Sequence, residues 1–384
     1  MGKKKVMLIV PMLHQGGFER VCVATARLLE PYCEVSIVIF SAEDIAYDIR
    51  GLQVIDIHMK SVGSRIGKIR NVFLRSRKVA SLKKELGIDI AYSFGTTANL
   101  VNVFSRTRGK TWCSVRSYMD MGNPGMMKLF CRRADRMICC SQIIEKQLQE
   151  KMGCHSTVTL YNPFDTEKIR SQSQEEARLI FQDSKRVIVS MGREDDVKGF
   201  WHLVKSFYLV HRRYEDARLV IVGEGDFREY WKLAEDLGIA DAVSFPGVKK
   251  NPFPYLALGS IYVMTSLNEG FPNVLVEAMA MGKPVISTNC MTGPAEILAA
   301  DYAAVTGREE YLDGEYGILI PNLSTEKDLD ASHISEEERK LAEQIERLFE
   351  DETLYQKYSA ASLKRAAHFS NEAYVDALRK MADE

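Results

Sequence analysis

The sequence predicts an α/β protein with two doubly wound domains, each built on a parallel sheet. The chain has 384 residues, which is more than one hydrophobic core usually supports. Short runs rich in β-branched residues alternate with longer stretches of helical periodicity, as in parallel sheets covered by helices. This alternation restarts after a polar interval at 165–185, which we interpret as the junction between the two domains.

The first half contains a series of short apolar runs that predict strands. They are Val6–Pro11, Val35–Phe40, Val54–Ile57, Ile90–Phe94, Trp112–Val115 and Met137–Cys140. Between them, helical periodicity predicts helices over Glu19–Leu29, Ile66–Leu86 and Gln142–Met152.

The second half repeats the pattern. Its predicted strands are Arg186–Met191, Leu219–Val222, Val243–Phe245, Ile261–Thr265 and Pro284–Thr288. The predicted helices are Trp201–Tyr214, Phe227–Leu237 and Asn273–Met281, followed near the end of the chain by Asn371–Met381. In such sheets ligands bind beyond the carboxyl ends of the strands, so the loops there are the first candidates for a site.

Composition argues against several classes of protein. The net charge of −1 gives no reason to expect nucleic acid binding. No apolar run reaches the roughly 20 residues that a membrane span needs, and Val6–Val10 is too short for a signal peptide core. The eight cysteines lack CxxC spacing, which favours buried thiols over a disulfide framework and indicates a cytoplasmic protein.

Two loops could contact a phosphate or a sugar. Gly16-Gly17 follows the first strand and precedes a helix, so it is either an anion-binding turn or simply a tight connection. Gly192-Arg193 and Lys198-Gly199 follow the strand that opens the second domain. Their two cations could grip a diphosphate, whereas Glu194, Asp195 and Asp196 could instead neutralise them on a solvated loop.

The segment Glu269–Glu277 is the most informative. Glu269 lies in a Gly/Pro loop after a strand, and Asn273 is a candidate N-cap that would place Glu277 one turn into the next helix. The N–H groups at a helix start can hold a phosphate, while the carboxylates accept hydrogen bonds from hydroxyl groups. An acidic first turn that only stabilises the helix dipole is the alternative for Glu277.

At this segment the chain resembles the retaining GT-B glycosyltransferases of family 4. Glu269 and Glu277 have the two-glutamate pattern of that family, with a spacer of seven residues. Gly16-Gly17-Phe18-Glu19-Arg20 is similar to the family's N-terminal GG-x-E-R segment, and Gly192-Arg193 with Lys198-Gly199 is similar to its G-R…K-G loop. Further similar segments follow at 278–286 and 293–297, and Asn162-Pro163 resembles the end of the N-terminal domain.

The resemblance implies two Rossmann-like domains facing across a cleft. Residues 1–165 would form the acceptor-side domain, with the C-terminal helix 369–384 packing back on it, and 166–368 would bind the nucleotide-sugar.

The resemblance also implies roles for individual residues. Arg193 and Lys198 would contact the donor diphosphate, Glu277 the ribose and Glu269 the transferred sugar. Other donor contacts would come from Gly16 and Gly17, from Gly192, from Val248 and Asn251 near the base, and from the segment Gly270, Phe271, Asn273, Val274 and Leu275.

Fixed cations and a helix start can stabilise a leaving diphosphate without a metal. We therefore expect no cofactor, with a UDP-sugar as donor substrate. The chain's DxD triplet, Asp328-Leu329-Asp330, is far in sequence from these motifs.

One position departs from the common family pattern. Many members carry a His after a strand of the N-terminal domain, where this chain has Cys113–Tyr118 with Arg116 and no His. In this respect it resembles members that act on N-acetylhexosamines or lipid-linked oligosaccharides, and we hypothesise that Arg116 binds donor or acceptor. His14 is an alternative.

A basic amphipathic stretch at 65–84 combines eight Lys or Arg residues with an apolar stripe and lacks acidic residues. The stripe consists of Ile66, Ile69, Val72, Phe73, Val79 and Leu82. Such a helix can lie on an anionic membrane, or it can be an ordinary helix packed on the sheet. The first alternative would place the protein peripherally at the inner face of the cell membrane. The resemblance implies a glycan or lipid-linked glycan acceptor, because many members of the family extend lipid-linked glycans.

Other functions stay open from the sequence. Gly223-Glu224-Gly225 follows a strand, as in a nicotinamide dehydrogenase, but lacks the third glycine of that motif. A sugar-nucleotide epimerase or a phosphorylase of the same fold, or an inactive nucleotide-sugar-binding partner, would also fit two such domains.

Overall fold

The computed structural model describes residues 2–14, 16–61, 63–177 and 184–384, except for the side chain of Arg65. Residues 178–183 of the predicted polar interval therefore lie outside the described residues. The chain divides into a first unit, Met1–Pro163 with Asn371–Glu384, and a second unit, Phe164–Ser370. The sequence places these boundaries at 165 and 369.

The first unit is a seven-stranded sheet in the order β3-β2-β1-β4-β5-β6-β7. Its strands are β1 (Lys4–Val10), β2 (Cys33–Ile39), β3 (Gln53–Asp56), β4 (Ile90–Ser93), β5 (Lys110–Val115), β6 (Arg136–Cys139) and β7 (Thr157–Thr159). Its helices before the junction are α1 (Gly17–Leu29), α2 (Arg65–Glu85), α3 (Thr96–Phe104), α4 (Pro124–Arg133) and α5 (Gln142–Met152). The paired strands are parallel, as predicted.

The second unit has another seven-stranded sheet, in the order β10-β9-β8-β11-β12-β14-β13. Its strands are β8 (Val187–Met191), β9 (Arg218–Val222), β10 (Val243–Gly247), β11 (Ile261–Met264), β12 (Val285–Thr288), β13 (Leu312–Asp313) and β14 (Ile318–Ile320). Its helices are α6 (Thr166–Ser173), α7 (Phe200–Arg213), α8 (Arg228–Asp236), α9 (Phe253–Leu258), α10 (Asn273–Ala280), α11 (Pro294–Leu298), α12 (Tyr302–Val305), α13 (Glu336–Glu350) and α14 (Glu352–Ala366).

The last helix, α15 (Asn371–Asp383), belongs to the first unit. Tyr374, Leu378 and Met381 are buried in the same apolar cluster as strand β1 and helix α1. The Tyr374 hydroxyl is 2.7 Å from the Thr25 hydroxyl of α1. The predicted return of this helix to the N-terminal domain is therefore confirmed.

The two predicted sheets are confirmed, and their strands pair in parallel except at the edge of the second sheet, where β13 and β14 are antiparallel. The predicted elements did not include the short strands β7, β13 and β14 or the helices α3, α4, α6, α9, α11, α12, α13 and α14. In α13, for example, a capping box formed by Ser335 and Glu338 begins the helix, a start signal that the sequence analysis did not use.

Candidate functional site

The loop after β8 carries both predicted cations, Arg193 and then Lys198, which lies in a short 3₁₀ turn, Asp196–Lys198. Gly199 ends this turn with a φ of +59°, and a Cβ there would lie 2.5 Å from the Thr265 carbonyl oxygen. Both the left-handed conformation and the close approach require glycine. The glycine thus presses the turn onto the segment that follows β11, and α7 begins immediately after it.

Lys198 and Glu269, 71 residues apart in sequence, meet in an ion pair with 2.6 Å between Nζ and Oε1. Their side chains are only 24% and 13% exposed. The Thr265 hydroxyl donates to the Lys198 carbonyl oxygen at 2.9 Å, and the Leu267 N–H donates to the Val197 carbonyl at 2.7 Å. The loops after β8 and β11 therefore hold each other, and the structure brings these two predicted catalytic residues together.

Arg193 lies on the same loop but is mostly exposed. Its Nη2 is 3.2 Å from Asp195 Oδ2. The Val197 N–H and Arg193 both stabilise the charged carboxylate and lower the pKa of Asp195. The possible neutralisation of the cations by the intervening acids is thus found for Arg193. Lys198 pairs with Glu269 instead, while Glu194 accepts the Phe227 N–H at 2.9 Å and Asp196 pairs with Lys327 at 3.0 Å.

The glycines Gly223 and Gly225 pack against this loop. A Cβ at Gly223 would lie 1.7 Å from the Gly192 carbonyl oxygen, and one at Gly225 would lie 2.3 Å from the Glu194 Cβ. The Gly192 N–H donates to the Val222 carbonyl at 2.9 Å. The glycine pair that suggested a dehydrogenase therefore supports the Gly192–Gly199 loop.

The loop Gly270–Pro272 is held in place by aromatic packing and by the segment at Thr292-Gly293. The Phe271 ring lies 6.3 Å from the ring of Phe164 and 5.3 Å from that of Phe369. A Cβ at Gly293, where φ is +93°, would lie 2.4 Å from Pro272 Cδ. The Thr292 hydroxyl donates to the Glu269 carbonyl. The side chain of Phe271 is therefore buried structural support, and only its backbone remains a candidate donor contact.

Helix α10 begins differently from the prediction. Asn273 is the first helical residue, and Pro272 occupies the N-cap position without a side-chain cap, so the prediction of Asn273 as N-cap is wrong. The extended conformation of Pro272 (φ −74°, ψ 95°) moves the start by one residue. The Leu275 N–H donates to the Pro272 carbonyl at 3.1 Å, so in this structure that predicted donor group is already used. Glu277 is buried in the helix.

The predicted base region follows β10. Gly247 has a φ of +73°, and the next side chain, Val248, is exposed. Asn251 donates from Nδ2 to the Gln172 carbonyl at 2.8 Å and accepts the Phe253 N–H at Oδ1 at 3.2 Å. The Asn251 side chain therefore holds this loop to α6 while Val248 faces outward.

In the first unit, Gly16 precedes α1 and Gly17 begins it. The Tyr47 hydroxyl donates to the Gly16 carbonyl at 2.6 Å and lies 3.0 Å from its amide nitrogen. A Cβ at Gly16 would lie 2.3 Å from Glu19 Oε2, so the carboxylate fills the space that a side chain would need. Glu19 is 2% exposed, and burial raises its pKa. His14 Nδ1 lies 3.4 Å from it.

Arg116, at the carboxyl end of β5, is held within the first unit. It donates to Asn162 Oδ1 at 2.8 Å and to the Tyr92 hydroxyl. Its guanidinium lies 5.3 Å from the centre of the Phe94 ring. Two of its nitrogens thus already have partners on neighbouring elements.

The DxD triplet has structural partners. Asp328 Oδ2 is 2.8 Å from the buried Lys205 Nζ and 2.6 Å from His333 Nδ1. Asp330 accepts the Ser332 hydroxyl at 2.7 Å. Over the part of the chain that the structure describes, no three His, Cys, Asp or Glu residues are grouped so that they could hold a metal ion.

Sequence reasoning missed Thr265, Thr292 and Tyr47. Each holds a loop backbone through its hydroxyl group. Because all three are common residue types outside any motif, only the folded structure shows which carbonyls they reach.

Helix α2 differs from the predicted amphipathic helix, because some of its basic side chains are buried and several apolar side chains of the predicted stripe are exposed. Arg75, with its guanidinium 4.5 Å from the centre of the Phe40 ring, and Lys83 are buried, as is Val79 of the predicted stripe. By contrast, Ile66, Ile69 and Phe73 are 83%, 73% and 60% exposed. These three residues, with the exposed Lys68, Arg70 and Arg77, are called the α2 surface below.

Within the described residues, no helix combines the length and the apolar character that a membrane crossing requires.

Two family models match the chain in succession. Residues 15–168 match Glycosyltransferase Family 4, and residues 185–351 match Glycosyl transferases group 1. The chain is a GT-B glycosyltransferase.

Individual relatives agree with this assignment. An uncharacterized glycosyltransferase of Methanocaldococcus jannaschii is 34% identical over 65% of this chain and 63% of its own length. A Campylobacter jejuni N-acetylgalactosamine-N,N'-diacetylbacillosaminyl-diphospho-undecaprenol 4-alpha-N-acetylgalactosaminyltransferase is 25% identical over 95% of this chain and 96% of its own. The crystal structure of Anabaena HepE in complex with UDP has a TM-score of 0.76 and 18% identity, with 99% of both chains covered.

Proposed function

We propose that this glycosyltransferase moves a hexose or an N-acetylhexosamine from a UDP-sugar to a lipid-linked glycan. The transfer retains the anomeric configuration, needs no metal and serves surface polysaccharide or capsule synthesis. The observation that carries the proposal is the Lys198–Glu269 ion pair, which is held on two interlocked loops beside the start of α10. The name of the Campylobacter jejuni relative, which specifies an undecaprenol-linked acceptor, supports the acceptor class, and the UDP complex of HepE supports the donor class.

The Lys198–Glu269 pair explains how one site could bind both the diphosphate and the sugar of the donor. Lys198 is a cation near a helix start, and both features stabilise the negative charge that forms on a leaving diphosphate. When the diphosphate attracts the Lys198 ammonium, Glu269 is released to accept hydrogen bonds from sugar hydroxyls. Arg193, on the exposed side of the same loop, adds a second cation, and Glu277 contacts the ribose.

The remaining donor contacts are part of the same proposal. Gly270, Phe271, Asn273 and Val274 contribute backbone groups, and Val248 lies against the base. The N–H groups of Gly192 and Leu275 are bonded within the fold instead. Gly16, Gly17 and Arg116 stay predictions that await a donor complex.

The test is a donor screen with a chelator present. The protein is incubated with a panel of UDP-sugars and a polyprenyl-diphosphate-linked sugar acceptor, and both UDP release and the anomeric configuration of the product are measured. We expect UDP release with one donor class and an α-linked product from an α-linked donor. Tight UDP binding without release would favour an inactive partner, and interconversion of UDP-sugars without release would favour an epimerase.

We also propose that the chain acts at the inner face of the cell membrane through the α2 surface. Three exposed apolar side chains surrounded by cations fit an anionic bilayer, which attracts each basic residue near the surface by about 1 kcal/mol. In sedimentation with anionic vesicles, the wild type should bind and Ile69→Ser/Phe73→Ser should bind much less. Leu363→Ser, which removes a partly exposed apolar side chain of α14, is the control. Equal sedimentation of the wild type with neutral and anionic vesicles would refute the idea.

A further inference from the structure

The first unit has a concave surface at the edge of its sheet opposite to Gly16 and Arg116. A cavity of about 1100 Å³ opens there beside the amino-terminal ends of β1, β4 and β5. Lys4, Ile90 and Lys110 line it from these strands, and the connections at 87–89 and 106–109 complete its wall. This edge takes no part in the site described above.

The lining of this basic cavity is strongly positive. Lys4, Lys83, Lys84, Arg106, Arg108 and Lys110 line it, against the acidic Asp89 and Asp383. Lys4 pairs with Asp383 at 2.7 Å, and Arg106 pairs with Asp135 at 2.8 Å. Among the described residues, Lys84, Arg108 and Lys110 have no carboxylate within 4.0 Å. The cavity therefore has an excess of cations in a chain whose net charge is −1.

Helix-end electrostatics explains only part of this excess. Lys83 and Lys84 lie in the last turn of α2, where cations offset the negative end of the helix dipole. Arg108 and Lys110 lie on a loop and a strand instead. Between them, a Cβ at Gly109 would lie 2.3 Å from the Ile88 carbonyl oxygen. Glycine thus holds this loop against residue 88, and the loop places both cations in the lining of the cavity.

Lys83 contributes a buried cation to the same wall. Its Nζ donates to Asn102 Oδ1 at 2.7 Å, and its side chain is almost fully buried. Burial lowers its pKa to about 7, with the charge of Arg106 acting in the same direction. A bound anion would offset this cost, because an opposite charge nearby favours the protonated ammonium.

We propose that the basic cavity binds a ligand that carries two or more phosphoryl groups, at a site separate from the donor site. Lys84, Arg108 and Lys110 contact its phosphoryl oxygens, and the buried Lys83 faces it from the wall. Lys and Arg on several elements can surround such a ligand, and charge-assisted hydrogen bonds to phosphate are among the stronger ones in proteins. The inference does not rest on the proposed glycosyl transfer.

Inorganic tripolyphosphate is the probe, titrated calorimetrically into the full chain in the presence of excess UDP. The wild type should bind, with hydrogen-exchange protection at 84–90 and 106–110. Arg108→Ala/Lys110→Ala should weaken binding by about tenfold or more, since two charge-assisted contacts are lost. Lys128→Ala/Arg132→Ala, which removes two exposed cations of α4, is the matched control and should bind like the wild type.

A charge-preserving variant, Arg108→Lys/Lys110→Arg, separates binding from folding and should keep most of the affinity. A second arm separates the sources of the phosphoryl groups. It is sedimentation with vesicles containing diacylglycerol pyrophosphate, whose headgroup carries two phosphoryl groups, with every protein carrying Ile69→Ser/Phe73→Ser so that the α2 surface does not contribute. Loss of sedimentation in Arg108→Ala/Lys110→Ala but not in the α4 control indicates a lipid headgroup, and tripolyphosphate binding alone indicates a soluble compound. No binding to either probe, or equal binding by the wild type and Arg108→Ala/Lys110→Ala, overturns the proposal.

Discussion

The carboxyl edges of the two sheets carry the predicted site residues in contrasting ways. In the second unit, residues from separate motifs contact each other, as Lys198 does with Glu269 at 2.6 Å. In the first unit, the predicted residues are engaged by other parts of the fold. Arg116 contacts Tyr92 and Asn162, and Gly16 contacts Tyr47.

This difference shows that a residue in a motif can either be accessible to a ligand or hold the fold together. In the second unit, Lys198 and Glu269 lie at an edge of the sheet where a ligand can reach them. Charged or polar groups of a substrate can therefore replace each of them as the partner of the other. Arg116, which follows β5, instead contacts Tyr92 of β4 and Asn162 in the loop after β7. Removing its side chain therefore also removes a structural connection. We therefore expect mutations at the two edges to separate activity from stability.

The largest expected effect is that of Lys198→Ala on turnover. Removal of one preorganised group that stabilises developing charge costs about 10²–10³ in kcat, and we expect a loss of this size in UDP release. Lys232→Ala is the matched control, because it breaks an ion pair with Asp236 on the surface of α8. Normal turnover of Lys198→Ala would remove the basis of the proposed function.

Arg116→Ala should act mainly on stability. It removes the hydrogen bonds from the guanidinium to the Asn162 amide oxygen and to the buried Tyr92 hydroxyl, at a cost of about 1–3 kcal/mol in the free energy of unfolding. Urea unfolding measures the loss, with Arg132→Ala, an exposed arginine of the same unit, as control. An unchanged free energy of unfolding together with a weaker apparent affinity for donor or acceptor would show that the guanidinium serves the ligand instead.

The sequence predicted both sheets and the position of the site at strand ends, because hydrophobic periodicity and glycine-rich loops are local signals. It also identified Lys198 and Glu269 separately. It did not predict that they pair, since their contact depends on the Thr265 and Leu267 hydrogen bonds between two loops. It assigned the loop positions Asn251 and Phe271 to the donor site but did not predict that their side chains hold the scaffold, because a motif does not show which way a side chain points.

The smallest expected effect concerns Glu19, beside Gly16 at the edge of the first sheet. Burial raises its folded-state pKa above the ordinary value of 4.5, so the folded protein holds this proton more tightly than the unfolded chain does. The contribution of Glu19 to stability therefore falls as pH rises from about 4.5 through the folded-state pKa. Glu19→Gln should have a higher free energy of unfolding than the wild type at neutral pH, and the difference should vanish below pH 4.5.

Unfolding in urea at a series of pH values measures this difference, with Glu34→Gln, an exposed carboxylate of β2, as control. A wild type that is more stable than Glu19→Gln at neutral pH would contradict the expectation. Turnover of the same variant sharpens the contrast between the edges. If Glu19→Gln is more stable but turns over more slowly than the wild type, the Glu19 carboxylate contributes to function by acting on a ligand. The edge of the first sheet then carries a buried charge that lowers the stability of the fold.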